Sequence, residues 1–307
     1  MSFVFGTSLL AVVTAIACAL PGTFVVLRRD SMLVDAISHA VLPGIVVGYF
    51  FTRNLDSPLL ILGAALSGLL VVLGSEWLGR TGLLTGDAPQ GLVFPALFSA
   101  GVILITANFA NVHLDVHAVL VGDLNLAAFE QLEVGGAPIG PVYLFVMLGV
   151  LVLNVVFLTV FYPKLKLMTF DARFADAVGI RAGLLSTAFM FLVSVTVTAA
   201  FYAAGAILVI ALTVVPPATA YLLSRRLPTM IALTVAIAGG GALAGFWIAY
   251  ALDAATSSGM AVFYGLVFVA ALLGTRVARH RRRLIRAAAL AQQVGPADAN
   301  ALTAESG

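Results

Sequence analysis

Stretches of about twenty apolar residues follow one another along this chain almost without pause. Runs long enough to cross about 30 Å of hydrocarbon fall at roughly 3–27, 32–52, 57–78, 90–109, 142–161, 184–203, 206–223, 229–251 and 259–277. Only 10% of the 307 residues are charged, against about 25% in a soluble globular protein. So few charges cannot coat a water-facing surface, and the solvent of this chain is lipid. In lipid every backbone N–H and C=O must be satisfied internally, which leaves helices or a closed barrel; runs of this length predict helices. The chain therefore reads as an all-α polytopic membrane protein of about eight or nine spans. No lysine or arginine precedes the first run, so it reads as an uncleaved first helix and not as a signal peptide. The division between 184 and 223 rests on a weak break at Phe201–Gly205, where a bent or discontinuous helix is expected.

The basic residues test this division, because cytoplasmic loops carry an excess of Lys and Arg. With the N-terminus outside and nine alternating spans, the inside ends hold Arg28, Arg29, Arg80, Lys164, Lys166, Arg173, Arg181, Arg225, Arg226 and six arginines between Arg276 and Arg286. That is 15 of 16, and only Arg53 falls outside. The expected topology has the N-terminus out and the C-terminus in the cytoplasm.

Two longer connections stand between spans. The outer one, about 110–141, carries acids and no basic residue, and its moderate hydropathy suggests that part of it is a helix lying at the interface or dipping into the protein. The inner one, about 162–183, is amphipathic and too charged to span. One transmembrane domain over 1–280 is expected, followed by a basic and then polar tail over 281–307, partly disordered. Cys18 sits alone inside the first apolar run and reads as a packed small residue.

The strongest chemical signal is in the second span, Ser31-Met-Leu-Val-Asp35-Ala-Ile-Ser38-His39-Ala-Val-Leu-Pro43-Gly44. Asp35 and His39 are four apart and share one helical face. At 1.5 Å per residue His39 lies on the order of 10 Å inside the helix, where ionisable groups are expensive and usually functional. A carboxylate and an imidazole are two ligands for a borderline divalent cation. They serve equally as a hydrogen-bonded pair that packs helices, and the residues alone leave both readings open. Two ligands do not complete a metal site, so other helices or a second copy would supply the rest.

Weaker signals follow. Glu76 is placed to neutralise Arg80 at i+4. His113, Asp115 and His117 form a short outer run that reads as a solvated cluster or a weak metal site. Pro216 and Pro217 interrupt an apolar run, so a bend or helix end is expected there, as a fixed kink or as a moving hinge. Gly241 to Gly245 is a small-residue packing face. No phosphate-binding glycine loop and no zinc-protease motif is present, so any ATP must be bound by another chain, and no nucleic-acid partner is indicated.

Five blocks resemble the membrane subunits of metal-type ABC importers, the manganese/zinc/iron permease family. They are Arg28–Gly44 (RRDSMLVDAISHAVLPG), Gly91–Leu104 (GLVFPALFSAGVIL), Asn111–Leu124 (NVHLDVHAVLVGDL), Lys164–Ile180 (KLKLMTFDARFADAVGI) and Gly205–Leu223 (GAILVIALTVVPPATAYLL). They occur in family order over about residues 20–255. The resemblance implies a type II importer-like permease fold in a bacterial inner membrane. It implies a cytoplasmic ABC ATPase dimer, an extracytoplasmic metal-binding protein, and a second permease subunit, identical or not. The family's metal ligands fall on Asp35 and His39, and its ATPase-coupling segment on Phe170, Asp171, Ala175, Gly179 and Ile180. His117 stands where the family more often has an acid, so no role is carried to it. The chain is then no enzyme but a permease for Mn2+, or else Zn2+ or iron, with no permanently bound cofactor. A gradient-driven metal carrier and an intramembrane metal-dependent enzyme are the alternatives.

Overall fold

The computed structural model describes residues 3–53, 58–84, 86–108, 124–134 and 137–293. Its elements run α1 (Phe3–Arg28), α2 (Ser31–Thr52), α3 (Pro58–Arg80), α4 (Ala88–Asn108), α5 (Leu124–Ala127), β1 (Gln131–Val134), β2 (Ala137–Pro141), α6 (Val142–Phe170), α7 (Ala172–Ala177), α8 (Ala182–Leu223), α9 (Leu227–Ala251) and α10 (Thr256–Gln293). Eight of these helices are long and apolar enough to cross a membrane.

The eight helices make nine passes, because α8 is two helices. Its 42 residues would span about 63 Å if straight, twice the hydrocarbon thickness. The backbone leaves the helical region at Gly205, with φ 75° and ψ 165°, a conformation essentially confined to glycine. The neighbours on either side show that the chain reverses. Near the start of α8, Ser186 accepts a hydrogen bond from Arg28 Nη1 at the end of α1 (3.3 Å). Further on, the Tyr143 hydroxyl, near the opposite end of the bundle, donates to the Ala199 carbonyl. Past Gly205 the chain comes back: Thr213 lies against Gly22, and Leu223 shares a cavity with Leu27. The chain stays helical through Pro216 and Pro217, both buried. The break expected at Phe201–Gly205 is therefore present, at Gly205, whereas the helix does not end at the double proline.

Helix α1 is the axis of the bundle. It packs on α6, both limbs of α8, and α9. Asn154 of α6, fully buried, fixes this junction: its Nδ2 donates to the Ala17 carbonyl (3.1 Å) and to Thr196 Oγ1 (3.0 Å). Such an amide inside the hydrocarbon layer must find its partners in other helices. Close backbone approach does the rest. A Cβ on Gly22 would strike the Thr213 carbonyl, and one on Gly44 would strike the α3 backbone at Gly63–Ala64. The face Gly241–Gly245 packs as expected, Gly241 against the Tyr264 ring and Gly245 against Met260.

Much of the outer connection, and with it most of the segment in which an interfacial helix was expected, lies outside the described residues. Its described part holds a single helical turn, α5, seated by the buried Leu124, and an antiparallel hairpin β1–β2 with an irregularity between Leu132 and Glu133. The all-α class therefore carries one small hairpin. Two other helices run beyond their apolar runs. α6 continues through Pro163 to Phe170, and α10 continues through its arginines to Gln293.

Gly22→Ala forces the α1–α8 contact apart and is expected to destabilise the protein by about 1–3 kcal/mol. Gly265→Ala, on α10 with no atom within 4 Å of the added methyl, is expected to be neutral or mildly stabilising. Thermal unfolding of the two variants in nanodiscs, followed by tryptophan fluorescence, distinguishes these outcomes.

Candidate metal site and coupling face

Helix α2 follows α1 through a tight turn in which Arg29 takes φ 64° and the Leu33 N–H bonds the Asp30 carbonyl. It then runs between α3 and α4. On one side Gly44 lies on the α3 backbone; on the other Pro43 meets Gly101 of α4. Pro43 does not end the helix.

This packing leaves one stripe of α2 uncovered, and Asp35 and His39 lie on it. Their side chains are 35% and 36% exposed, with His39 Nε2 3.5 Å from Asp35 Oδ1. That separation exceeds the 2.7–3.2 Å of a good N–H···O bond, so the two groups are close but not locked together. The imidazole is held from α4 instead. It stacks on Phe94 (centroids 5.3 Å, 20°) and meets Phe98 edge-on (6.3 Å, 83°). These aromatics orient the ring without using its nitrogens. Phe94 and Phe98 were not singled out from the sequence; their i,i+4 spacing opposite a membrane histidine was the available signal. No group of three or more His, Cys, Asp or Glu side chains that could hold a metal occurs among the described residues, so one copy offers two ligands and an open side.

An acidic patch lies at the same end of α2 as its first turn. Glu76 pairs with Arg80 (3.6 Å) as the spacing predicted. Burial pushes the Asp30 carboxyl up to about 6, with Arg28 opposing the shift and Glu76 and Asp87 adding to it.

The amphipathic segment after α6 folds into a capped single turn. Asp171 ends α6 and its Oδ1 accepts the Phe174 N–H (2.9 Å), an N-cap for α7. At the other end Gly179 takes φ 82°, and the Ile180 N–H reaches the Ala175 carbonyl (3.0 Å), the closure expected of a left-handed C-cap. Ala175 is fully buried and Ile180 packs on the core, whereas Phe170, Phe174 and Val178 are exposed. Phe170, Asp171, Ala175, Gly179 and Ile180 thus form one small unit anchored on its inner side, with aromatics turned outward. Pro216 and Pro217 lie elsewhere, inside the second limb of α8. His113, Asp115 and His117 lie outside the described residues.

Nine membrane passes, an ionisable pair on an uncovered helix stripe and a capped helical knob on the basic face are the parts of a transporter permease. Comparison with known proteins agrees. The model of the ABC 3 transport family matches residues 1–275. The manganese transport system membrane protein MntD of Bacillus subtilis (strain 168) is 40% identical over 273 residues, 89% of this chain and 92% of that protein. The zinc transport system membrane protein TroD of Treponema pallidum (strain Nichols) is 41% identical over 260 residues, 85% and 71% respectively. Among solved structures, PsaBC from Streptococcus pneumoniae in complex with Fab superposes with a TM-score of 0.73 at 25% identity, over 88% of this chain and 91% of that one. The chain belongs to the ABC 3 transport family, and its fold is that of a metal-type ABC permease.

Because the folded state holds the Asp30 proton above the ordinary carboxylate range, stability falls as pH rises from about 4 to about 6. Asp30→Asn is expected to flatten that slope. At pH 7 it should unfold roughly 2–4 °C above the parent, for a gain on the order of 1 kcal/mol, with no difference at pH 4. Thermal unfolding in nanodiscs at both pH values checks this.

Proposed function

We propose that the chain is the membrane-spanning subunit of an ATP-driven importer of a divalent metal ion, with manganese as the cargo. The observation that carries this is the Asp35–His39 pair, half-exposed on a stripe of a transmembrane helix. Facing lipid, such a pair would cost several kcal/mol; facing a water-filled path beside a second copy, it becomes half of a metal site. One carboxylate and one imidazole per copy, with no thiolate, is a set that manganese tolerates and zinc does not require. MntD, a manganese system's membrane protein, supports the same cargo; TroD keeps zinc as the competing one.

In this reading an external binding protein delivers the ion to the acidic outer face. The ion passes between two permease subunits and is held briefly by Asp35 and His39 of both. The N-terminus is outside and the basic face is cytoplasmic, in the bacterial plasma membrane. There a separate ATPase dimer meets the knob formed by Phe170, Asp171 and the α7 turn up to Gly179 and Ile180. Movement at that knob reaches α1 and the limbs of α8, where Gly205, and behind it Pro216 and Pro217, lets the limbs shift against each other. Weak, two-ligand holding per copy suits a path that must release its cargo.

Loss of a partner to a metal ligand already changes affinity or activity by about 10–100-fold, so His39→Ala and Asp35→Ala are each expected to lower manganese uptake by at least about tenfold. The measurement is uptake by proteoliposomes holding the permease with its ATPase, at matched protein levels. Undiminished uptake by both variants, or uptake by this chain without the ATPase, would overturn the proposal. Phe174→Ser, on the outward side of α7, is expected to leave metal binding intact and to cut transport-linked ATP hydrolysis by about tenfold, measured as phosphate release from the same vesicles.

A further inference from the structure

Beyond the transport path, the basic face holds a cavity of about 680 Å³, within the range of small-molecule sites. It lies where several spans end together: Leu27 of α1, the turn from α8 to α9, and the stretch of α10 from Thr275 to Arg279. Its polar half is made by Arg225, Arg226, Arg279 and Thr275. No carboxylate lines it, and none of the three arginines has an ion-pair partner among the described residues. The first turn of α9 also opens here. That 25-residue helix has no side-chain cap at Arg226; Pro228 in its first turn carries no N–H, but the positive end of the helix dipole adds to the same field. The apolar half is made by Tyr221 and Leu223, both more than half exposed on the outside of α8.

Three unpaired guanidinium groups around an uncapped helix start make a seat for a phosphate. The apolar rim beside it, at the depth where the spans end, is where the acyl chains of a phospholipid begin, and tyrosine is favoured at that level. A soluble anion would use only the polar half. We propose that this cavity binds the headgroup of an anionic phospholipid, its phosphate held by Arg225, Arg226 and Arg279 and its chains lying along Tyr221 and Leu223. The site is independent of which metal is carried and of the fate of the Asp35–His39 reading. Phe170 reaches the rim of this cavity, so a bound lipid would support the root of the coupling knob.

The test uses the purified full chain in vesicles containing spin-labelled phosphatidylglycerol or phosphatidylcholine, with the immobilised lipid fraction read by electron spin resonance. Wild type is expected to prefer phosphatidylglycerol. An arginine in contact with the headgroup contributes about fivefold to anionic-lipid association, so Arg225→Gln, Arg226→Gln and Arg279→Gln together should abolish the preference. Arg279→Gln alone, on an exposed part of α10, should lower it by about fivefold and guards against a folding defect in the triple variant. A second triple variant, Arg29→Gln, Arg181→Gln and Arg276→Gln, removes the same charge outside the cavity and should keep the preference. Inorganic phosphate should displace the lipid no better than chloride of equal ionic strength. The proposal fails if both triple variants lose the preference equally, which would mean diffuse surface charge. It fails if phosphate displaces the lipid selectively, which would mean a soluble-anion site. It also fails if the cavity variant keeps its lipid preference, whether or not it stops co-purifying with the ATPase.

Discussion

The bundle depends on one junction inside the hydrocarbon layer, the buried amide of Asn154. In water such a group would hydrogen-bond solvent; here its partners are the Ala17 carbonyl and the Thr196 hydroxyl. It therefore ties α6 to α1 and to the first limb of α8 at once. The Gly22–Thr213 contact does for the second limb what the amide does for the first. Between them they hold α1 as the axis around which the reversal at Gly205 is possible. Hydrocarbon offers no hydrophobic drive for one apolar helix to prefer another, so close backbone approach and a few polar anchors decide which helices touch.

The stripe that carries Asp35 and His39 is what that packing leaves over. Helix α2 meets α3 and α4 through Gly44 and Pro43, and this leaves Asp35 and His39 only partly covered, with one side of each open. The aromatics of α4 then set the ring plane of His39. The pair thus offers two donor groups, with the imidazole oriented from one side and open on the other. At the basic face the same economy recurs. The α7 turn is closed at both ends by Asp171 and Gly179 and rooted by Ala175, so its exposed aromatics stand on a firm base although the helix is only one and a half turns long.

Much of this is legible in the sequence. Apolar runs, the one-sided distribution of basic residues and the Asp35–His39 spacing depend on local periodicity and on solvent, and both are written residue by residue. Even the break near Phe201–Gly205 was visible, because a glycine ends an otherwise continuous apolar run. At Pro216 and Pro217, where a bend or helix end was also expected, the helix continues. Proline in a membrane helix removes one backbone bond that neighbours can replace, whereas Gly205 takes angles that no helix contains. The β1–β2 hairpin was missed because its strands are short. The Gly-Gly dipeptide that follows Val134 in the sequence, a frequent hairpin signal, was the cue.

The sequence by itself determined the solvent, the approximate run of spans, which end of each span is basic, and which two ionisable side chains share one face in mid-span. Each follows from a short window and the energy of placing its groups in lipid or water. The tertiary structure decided what no window contains: that α8 doubles back, that Phe94 and Phe98 orient His39, that Asp35 and His39 look outward from one copy, and that arginines from two distant segments enclose one cavity. These are relations between residues far apart in the chain. They are set by which helix surfaces can approach most closely, and that becomes known only when the helices are packed.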